Sequence, residues 1–275
     1  MTVNIVARKA ELTVRLATDP AEVAAAQALR YRVFYEELAA CPDEIARRTR
    51  RDADRFDALC DHLLVVRPSP RDCHPDPVAV SDGTLVGTYR LLRQEVAETG
   101  PGFYAAEEFD IESLVNRHRS LRFLELGRSC VLARYRTRPV VELLWQGIWN
   151  YVRGHYLDVM IGCASLKGTD PDAHALALGF LARHRATDDA WRVSAHPHCH
   201  VAMDRLGDRD VDPRLAMKAL PPLIKGYLRL GASIGDGAVI DSQFNTTDVL
   251  IVLPVRAINR RYFQHFGAPE ECRAR

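Results

Sequence analysis

Leu121-Arg122-Phe123-Leu124-Glu125-Leu126-Gly127-Arg128-Ser129-Cys130-Val131-Leu132 reads as a strand, and what flanks it decides the fold class. A helix begins near Thr137 to Pro139. Its apolar residues Val141, Leu144, Trp145, Ile148 and Val152 keep helical spacing, and Gly154 supplies a stop. The next strand is Val159-Met160-Ile161-Gly162-Cys163, and Thr169-Asp170-Pro171 then opens a helix over residues 172–184. Upstream, Leu12-Thr13-Val14-Arg15-Leu16 alternates as a strand does. Asp19-Pro20-Ala21-Glu22 follows with a cap, a first-turn proline and capping-box spacing. Ala25, Leu29 and Val33 give that helix its apolar face.

Two further strands lie between, His62-Leu63-Leu64-Val65-Val66 and Thr84-Leu85-Val86-Gly87-Thr88-Tyr89-Arg90-Leu91-Leu92. Residues 40–58 are charge-rich and read as a loop. Downstream, Pro221-Pro222 opens a helix ending at Gly231, and Asp248-Val249-Leu250-Ile251-Val252-Leu253 is another strand. This order predicts a mixed α/β fold with one twisted sheet.

Composition removes several classes. The chain has 275 residues, with 37 Lys+Arg against 36 Asp+Glu, so no global field draws nucleic acid or an anionic surface. No run approaches the ~20 apolar residues that cross a bilayer, and the first residues lack the order of a signal peptide. The 7 Cys are scattered without a C-x-x-C pair, which predicts a reduced, cytoplasmic protein.

Few residues stand out chemically. Arg30 and Phe34, four apart, read either as a snorkelling arginine over an aromatic or as two groups facing one cleft. Asp54 and Asp57 form a D-x-x-D pair. Arg90 sits inside a strand, where an unpaired guanidinium is costly, so it predicts an ion pair. Glu125 and Arg128, an odd number of residues apart, point to opposite faces of one strand.

Taken in order, Leu29-Arg30-Tyr31-Arg32-Val33-Phe34, Asp54-Arg55-Phe56-Asp57, Val86-Gly87-Thr88-Tyr89-Arg90-Leu91 and Glu125-Leu126-Gly127-Arg128 resemble the skeleton of acyl-carrier-protein-dependent N-acyltransferases. These have the GNAT-like (acyl-CoA N-acyltransferase) fold shared with acyl-homoserine-lactone synthases. The stretch Tyr35-Glu36-Glu37-Leu38-Ala39-Ala40 lacks the tryptophan usual in the autoinducer branch. Ile161-Gly162-Cys163-Ala164-Ser165-Leu166-Lys167-Gly168-Thr169-Asp170-Pro171 is similar to the G-C-A-S-x-x-G-T-D-P signature of L-ornithine Nα-acyltransferases of ornithine-lipid synthesis. Pro221-Pro222-Leu223-Ile224-Lys225-Gly226-Tyr227 and Phe244-Asn245-Thr246-Thr247-Asp248-Val249 resemble that family too.

The resemblance implies a tail over residues 1–11, a GNAT-like core over 12–190 with a central twisted mixed sheet flanked by helices, and a C-terminal extension over 191–275. It implies transfer of a 3-hydroxy fatty acyl group from acyl carrier protein to the α-amine of L-ornithine, giving lyso-ornithine lipid. No cofactor, metal or nucleic acid is expected. Peripheral contact with the inner membrane and hand-off to a second O-acyltransferase are expected instead.

An ammonium must lose its proton before it attacks, and Glu125 is the first candidate acceptor, with a brace to Arg90 or Arg128 as the alternative. Arg30, Phe34, Asp54, Asp57, Arg90 and Arg128 correspond to the family's shared substrate-cleft positions. Arg134, Arg136 and Arg138 replace the glycine-rich pyrophosphate loop of coenzyme-A enzymes, so they are expected to meet an acidic carrier protein and its pantetheine arm. Competing readings are an acyl-homoserine-lactone synthase and a non-catalytic acyl-carrier or lipid-binding module. His196-Pro197-His198-Cys199-His200 reads as a surface loop, Cys163 as a small core residue, and Trp145 with Trp149 as packing.

Overall fold

A computed structural model describes residues 7–9, 11–68, 78–184, 188–206, 211–258 and 262. Cys73, Cys272 and most of the proline-rich connection fall outside them. In chain order the strands are β1 (Ala7–Lys9), β2 (Leu12–Leu16), β3 (Asp61–Pro68), β4 (Ala79–Val80), β5 (Gly83–Arg93), β6 (Phe123–Val131), β7 (Val159–Lys167), β8 (Ser233–Asp241) and β9 (Thr246–Pro254). The helices are α1 (Pro20–Tyr31), α2 (Glu44–Thr49), α3 (Gln94–Ala97), α4 (Ile111–Arg117), α5 (Arg138–Gly154), α6 (Ala175–Ala182), α7 (Pro213–Ala219) and α8 (Pro222–Leu230). No helix among the described residues is long and apolar enough to cross a membrane.

The chain forms two compact units, with the boundary inside β6 between Glu125 and Leu126. The first holds the residues through Gly100 together with Leu126–Tyr156. Its strands run antiparallel from β1 to β2 to β3 to β5, with β4 also on β5. The 7–9 segment, which reads as tail from sequence, is thus a strand paired with β2.

Parity along β3 sets two helices on opposite faces. Leu64 and Val66 join Ala26, Leu29 and Val33 of the α1 segment in one buried cluster. Leu63 faces α5, where a Cβ on Gly147 would come within 3.0 Å of it and 2.8 Å of Val14. The buried residues of α5 are Val140, Leu143, Leu144, Gly147, Ile148, Trp149, Tyr151 and Val152. Val141, expected among them, is instead 47% exposed. Leu144, Ile148 and Val152 lie on the buried face as their spacing predicts, while Gly147 rather than Val141 lies against the sheet.

Asp19 caps α1 as expected, accepting from the Glu22 N–H at 3.0 Å. Beyond Tyr31 the helix widens into a π-helical segment, Arg32–Glu37, closed by Leu38 N–H to Val33 O at 3.0 Å. Residues 40–58, expected to be loop, contain α2. Asp43 caps it by accepting from the Ala46 N–H at 2.7 Å, and Ala46 is its buried residue.

The second unit holds Pro101–Glu125 and the residues from Leu157 on, short of the last seven. There Phe123, Leu124 and Glu125 pair in parallel with Val159, Met160 and Ile161. Strands β7 and β9 pair antiparallel, as do β9 and β8. This is a mixed sheet. Gly231 ends α8 with a left-handed φ of 99°, as its position predicts.

Candidate active site

Three arginines and three aspartates interlock in the first unit. Helix α1 presents Arg30, only 1% exposed, and Asp57 takes it through two parallel hydrogen bonds, from Nη1 to Oδ1 at 2.8 Å and from Nη2 to Oδ2 at 2.7 Å. The Arg30 Nε lies 2.8 Å from Asp52 Oδ2. From β5, Arg90 Nη1 donates to Asp54 Oδ1 at 2.6 Å and to Asp57 Oδ1 at 3.2 Å. From β6, Arg128 Nη2 donates to Asp54 Oδ2 at 3.1 Å, and its Nε is 3.3 Å from Asp52 Oδ2. Gln27 Nε2 donates to Asp57 and the Tyr35 hydroxyl to Asp52, each at 3.1 Å. The segment folds over itself through Asp54 N–H to Asp57 Oδ2 and Phe56 N–H to Asp54 Oδ1.

Charge balance is what permits this burial. Taking six ions from water is costly, and only opposite charges with saturated hydrogen bonds offset it. Burial pushes the Asp57 carboxyl up, but hydrogen bonds from Arg30 and the charges of Arg30 and Arg90 hold it well below the usual carboxylate range. Buried His62 is pushed down by desolvation, and Asp57 O, 3.0 Å away, assigns the proton of the neutral ring to Nε2.

The network replaces the snorkelling reading of Arg30 with a buried guanidinium ion-paired to Asp52 and Asp57. It also adds Asp52, which sequence reasoning missed although it precedes the D-x-x-D pair by two residues. Phe34 packs, partly buried, against the apolar cluster under α1. Only Asp54, with 25% of its side chain exposed, and Arg128, with 13%, offer appreciable surface. Arg128 does so with a left-handed backbone, φ 50°, inside a strand, a conformation costing roughly 1–3 kcal/mol unless neighbours hold it.

Glu125, 5% exposed in the second unit, accepts 2.7 Å hydrogen bonds from the backbone N–H groups of both Tyr104 and Ala105. Those donors open a 3₁₀ turn, Tyr104–Glu107, whose next residue is Glu108. Burial pushes the Glu108 carboxyl up to about 7, with the charges of Asp248 and Asp241 adding to the shift. The Cys163 thiol on β7 donates to it at 3.6 Å. Burial pushes that thiol well above its ordinary value, and nearby Glu108 adds to the effect, so Cys163 is a proton donor rather than a thiolate. His196 N–H donates to Glu108 O at 2.8 Å, and the Cys199 thiol to the same oxygen at 3.5 Å. Glu108 was not legible in sequence, because it lies in a stretch without periodicity and gains its character from β7 and β9.

Arg134, Arg136 and Arg138 are all exposed. Arg136 is ion-paired with Glu37, Arg138 Nε reaches Glu142 at 2.6 Å, and Arg134 lies 4.9 Å from the Tyr135 ring.

A buried arginine–aspartate network beside a strand, in an α/β fold, is accompanied by a match to the acetyltransferase (GNAT) domain model over residues 29–146. The chain is 52% identical over 265 residues to L-ornithine N(alpha)-acyltransferase of Rhizobium meliloti (strain 1021), covering 96% of this chain and 87% of that one. It is also 52% identical over 266 residues to L-ornithine N(alpha)-acyltransferase of Brucella abortus (strain 2308), covering 96% and 92%. Among solved structures it is similar to FeeM, an N-acyl amino acid synthase from uncultured soil microbes, with 11% identity, a TM-score of 0.49 and coverage of 92% and 97%. The chain belongs to the L-ornithine N(alpha)-acyltransferase family.

Proposed function

We propose that this protein transfers a 3-hydroxyacyl group from an acyl carrier protein thioester to the α-amine of L-ornithine. The observation that carries the reading is 52% identity, over 96% of the chain, to proteins named for acylation of L-ornithine at its α-nitrogen. The amine nitrogen attacks the thioester carbonyl, an amide forms, and the carrier thiol leaves with a proton. Glu108, with a carboxyl poised about 7, accepts the proton of the incoming ammonium. Glu125 is a positioning residue that clamps the turn delivering Glu108. The product is a single-chain amphiphile, passed at the inner-membrane surface to an O-acylating enzyme.

Arg30, Asp57 and Arg90 fix the loop, with Phe34 packed beneath it, while Asp54 and Arg128 meet the charged ends of the amino acid. An aspartate suits the side-chain ammonium and an arginine the carboxylate. Asp54→Asn is therefore expected to raise the KM for ornithine by about tenfold or more, the loss of one charge-assisted contact, with the acyl-donor KM unchanged. Equal KM values for ornithine in the two proteins would remove Asp54 from this role.

The test of the function is purified protein with 3-hydroxyacyl carrier protein and a panel of amino acids, with products read by mass spectrometry. Acylated ornithine is expected. A lactone formed from S-adenosylmethionine, or no acylated amine, would overturn the reading.

A further inference from the structure

Residues 44–51, Glu44-Ile45-Ala46-Arg47-Arg48-Thr49-Arg50-Arg51, hold four arginines on a chain that is otherwise balanced in charge. All four are exposed, and so is Ile45, at 63%. The segment is nevertheless fixed. Ala46 is buried, Asp43 caps the helix, and Arg50 is ion-paired with Glu36 while lying 5.3 Å from the Tyr31 ring. Arg47, Arg48 and Arg51 make no ion pair among the described residues; Arg47 donates only to Pro42 O, at 3.4 Å.

Glu36 and Glu37 are neighbours at the end of the π-helical segment. Glu36 holds Arg50, and Glu37 holds Arg136. One acidic corner therefore ties two basic stretches, residues 47–51 and 134–138, to the same part of the first unit. The first stretch follows the exposed Ile45 and carries three cations that make no ion pair among the described residues, and Arg51 leads directly into Asp52 of the ion network.

We infer that α2 and Arg51 form the docking surface for the acidic carrier protein that brings the acyl thioester, with Ile45 as its apolar centre and Arg47, Arg48 and Arg51 as its charged rim. This rests on the acyl transfer proposed above. An apolar centre ringed by cations has the anatomy of a protein–protein contact. A lipid surface fits less well, since a helix lying in a membrane interface needs an extended apolar face and α2 offers one isoleucine over six residues. Because the segment is already pinned, docking orders little chain.

The test uses the charge-reversed variant R47E/R48E/R51E, with R47A/R48A/R51A as a milder second. Binding of holo carrier protein is measured by fluorescence anisotropy at two salt concentrations. Transfer is compared between the carrier-bound donor and a carrier-free 3-hydroxyacyl pantetheine thioester. Charge reversal is expected to weaken carrier binding, and raise the carrier KM, by about tenfold or more, with a flatter salt dependence. Turnover from the carrier-free thioester should stay within about twofold, since electrostatic docking and chemistry separate. Carrier affinity unchanged in both variants, or a wild-type protein that does not bind the carrier, overturns the docking surface. Loss confined to binding of anionic phospholipid vesicles overturns it in favour of a lipid contact. Carrier binding that depends on these arginines without acylation of any amine upholds the surface and removes the ornithine reading instead.

Discussion

Asp57→Ala should lower the unfolding free energy by about 3–5 kcal/mol, read from urea denaturation, because it strips a buried guanidinium of its bidentate partner. Arg30 is 1% exposed and cannot recover solvent by a rotamer change. Arg90 and Gln27 lose an acceptor in the same step. The sign of the pH dependence follows from the direction of the Asp57 shift. A carboxyl held below its unfolded value contributes stability that is present above that value and is lost as pH falls through the lower folded one. The gap between wild type and variant should therefore be flat from about pH 5 to 8 and close only in strong acid. A loss under about 1 kcal/mol would mean that the network is no stronger than a surface pair.

Glu108→Gln should reduce kcat by about 10²–10⁴, the usual worth of a positioned proton acceptor. The acid limb of the pH–rate profile, expected near the carboxyl value of about 7, should vanish from the residual activity. Stability should move the opposite way. A carboxyl raised in the folded state contributes stability fully present below the unfolded value and lost as pH rises through about 7. The glutamine variant should thus match wild type in acid and exceed it at pH 8 by roughly 2–3 kcal/mol. Less activity with more stability is a pairing that simple misfolding does not produce. Glu125→Gln separates clamp from acceptor, because it turns an amide NH₂ toward one of two backbone N–H groups. Its kcat should fall while the acid limb persists. Near-native turnover in Glu108→Gln would return the proton acceptor to Glu125 or to a water.

Much of the fold was legible because its signals are local. Strand β2 matches the alternation over residues 12–16, and α1 begins at its capping aspartate. Helix α8 ends at the glycine that its left-handed backbone requires. What escaped depends on tertiary context. Strand β8 carries Gly235 and Gly237, the latter at φ 90°, which interrupt the alternation that marks a strand. The polar surface of α2 hid a helix, and on α5 the spacing of Leu144, Ile148 and Val152 found the buried face but not that Gly147 lies on it in place of Val141. In the site, Arg90 announced itself as an arginine inside a strand. Asp52 and Glu108 did not, since nothing in their neighbours' spacing tells that α1, β7 and β9 will close on them.

The left-handed Arg128 has a consequence for which sequences position 128 accepts. Glycine would relax the backbone but remove the cation that reaches Asp52 and Asp54, and lysine would keep the charge without a fork to span both. Exchanging it with the preceding Gly127 would give the easy backbone to the strained position and send the guanidinium to the other face. The loop's two carboxylates thus restrict position 128 to a side chain that can reach both of them from a left-handed backbone.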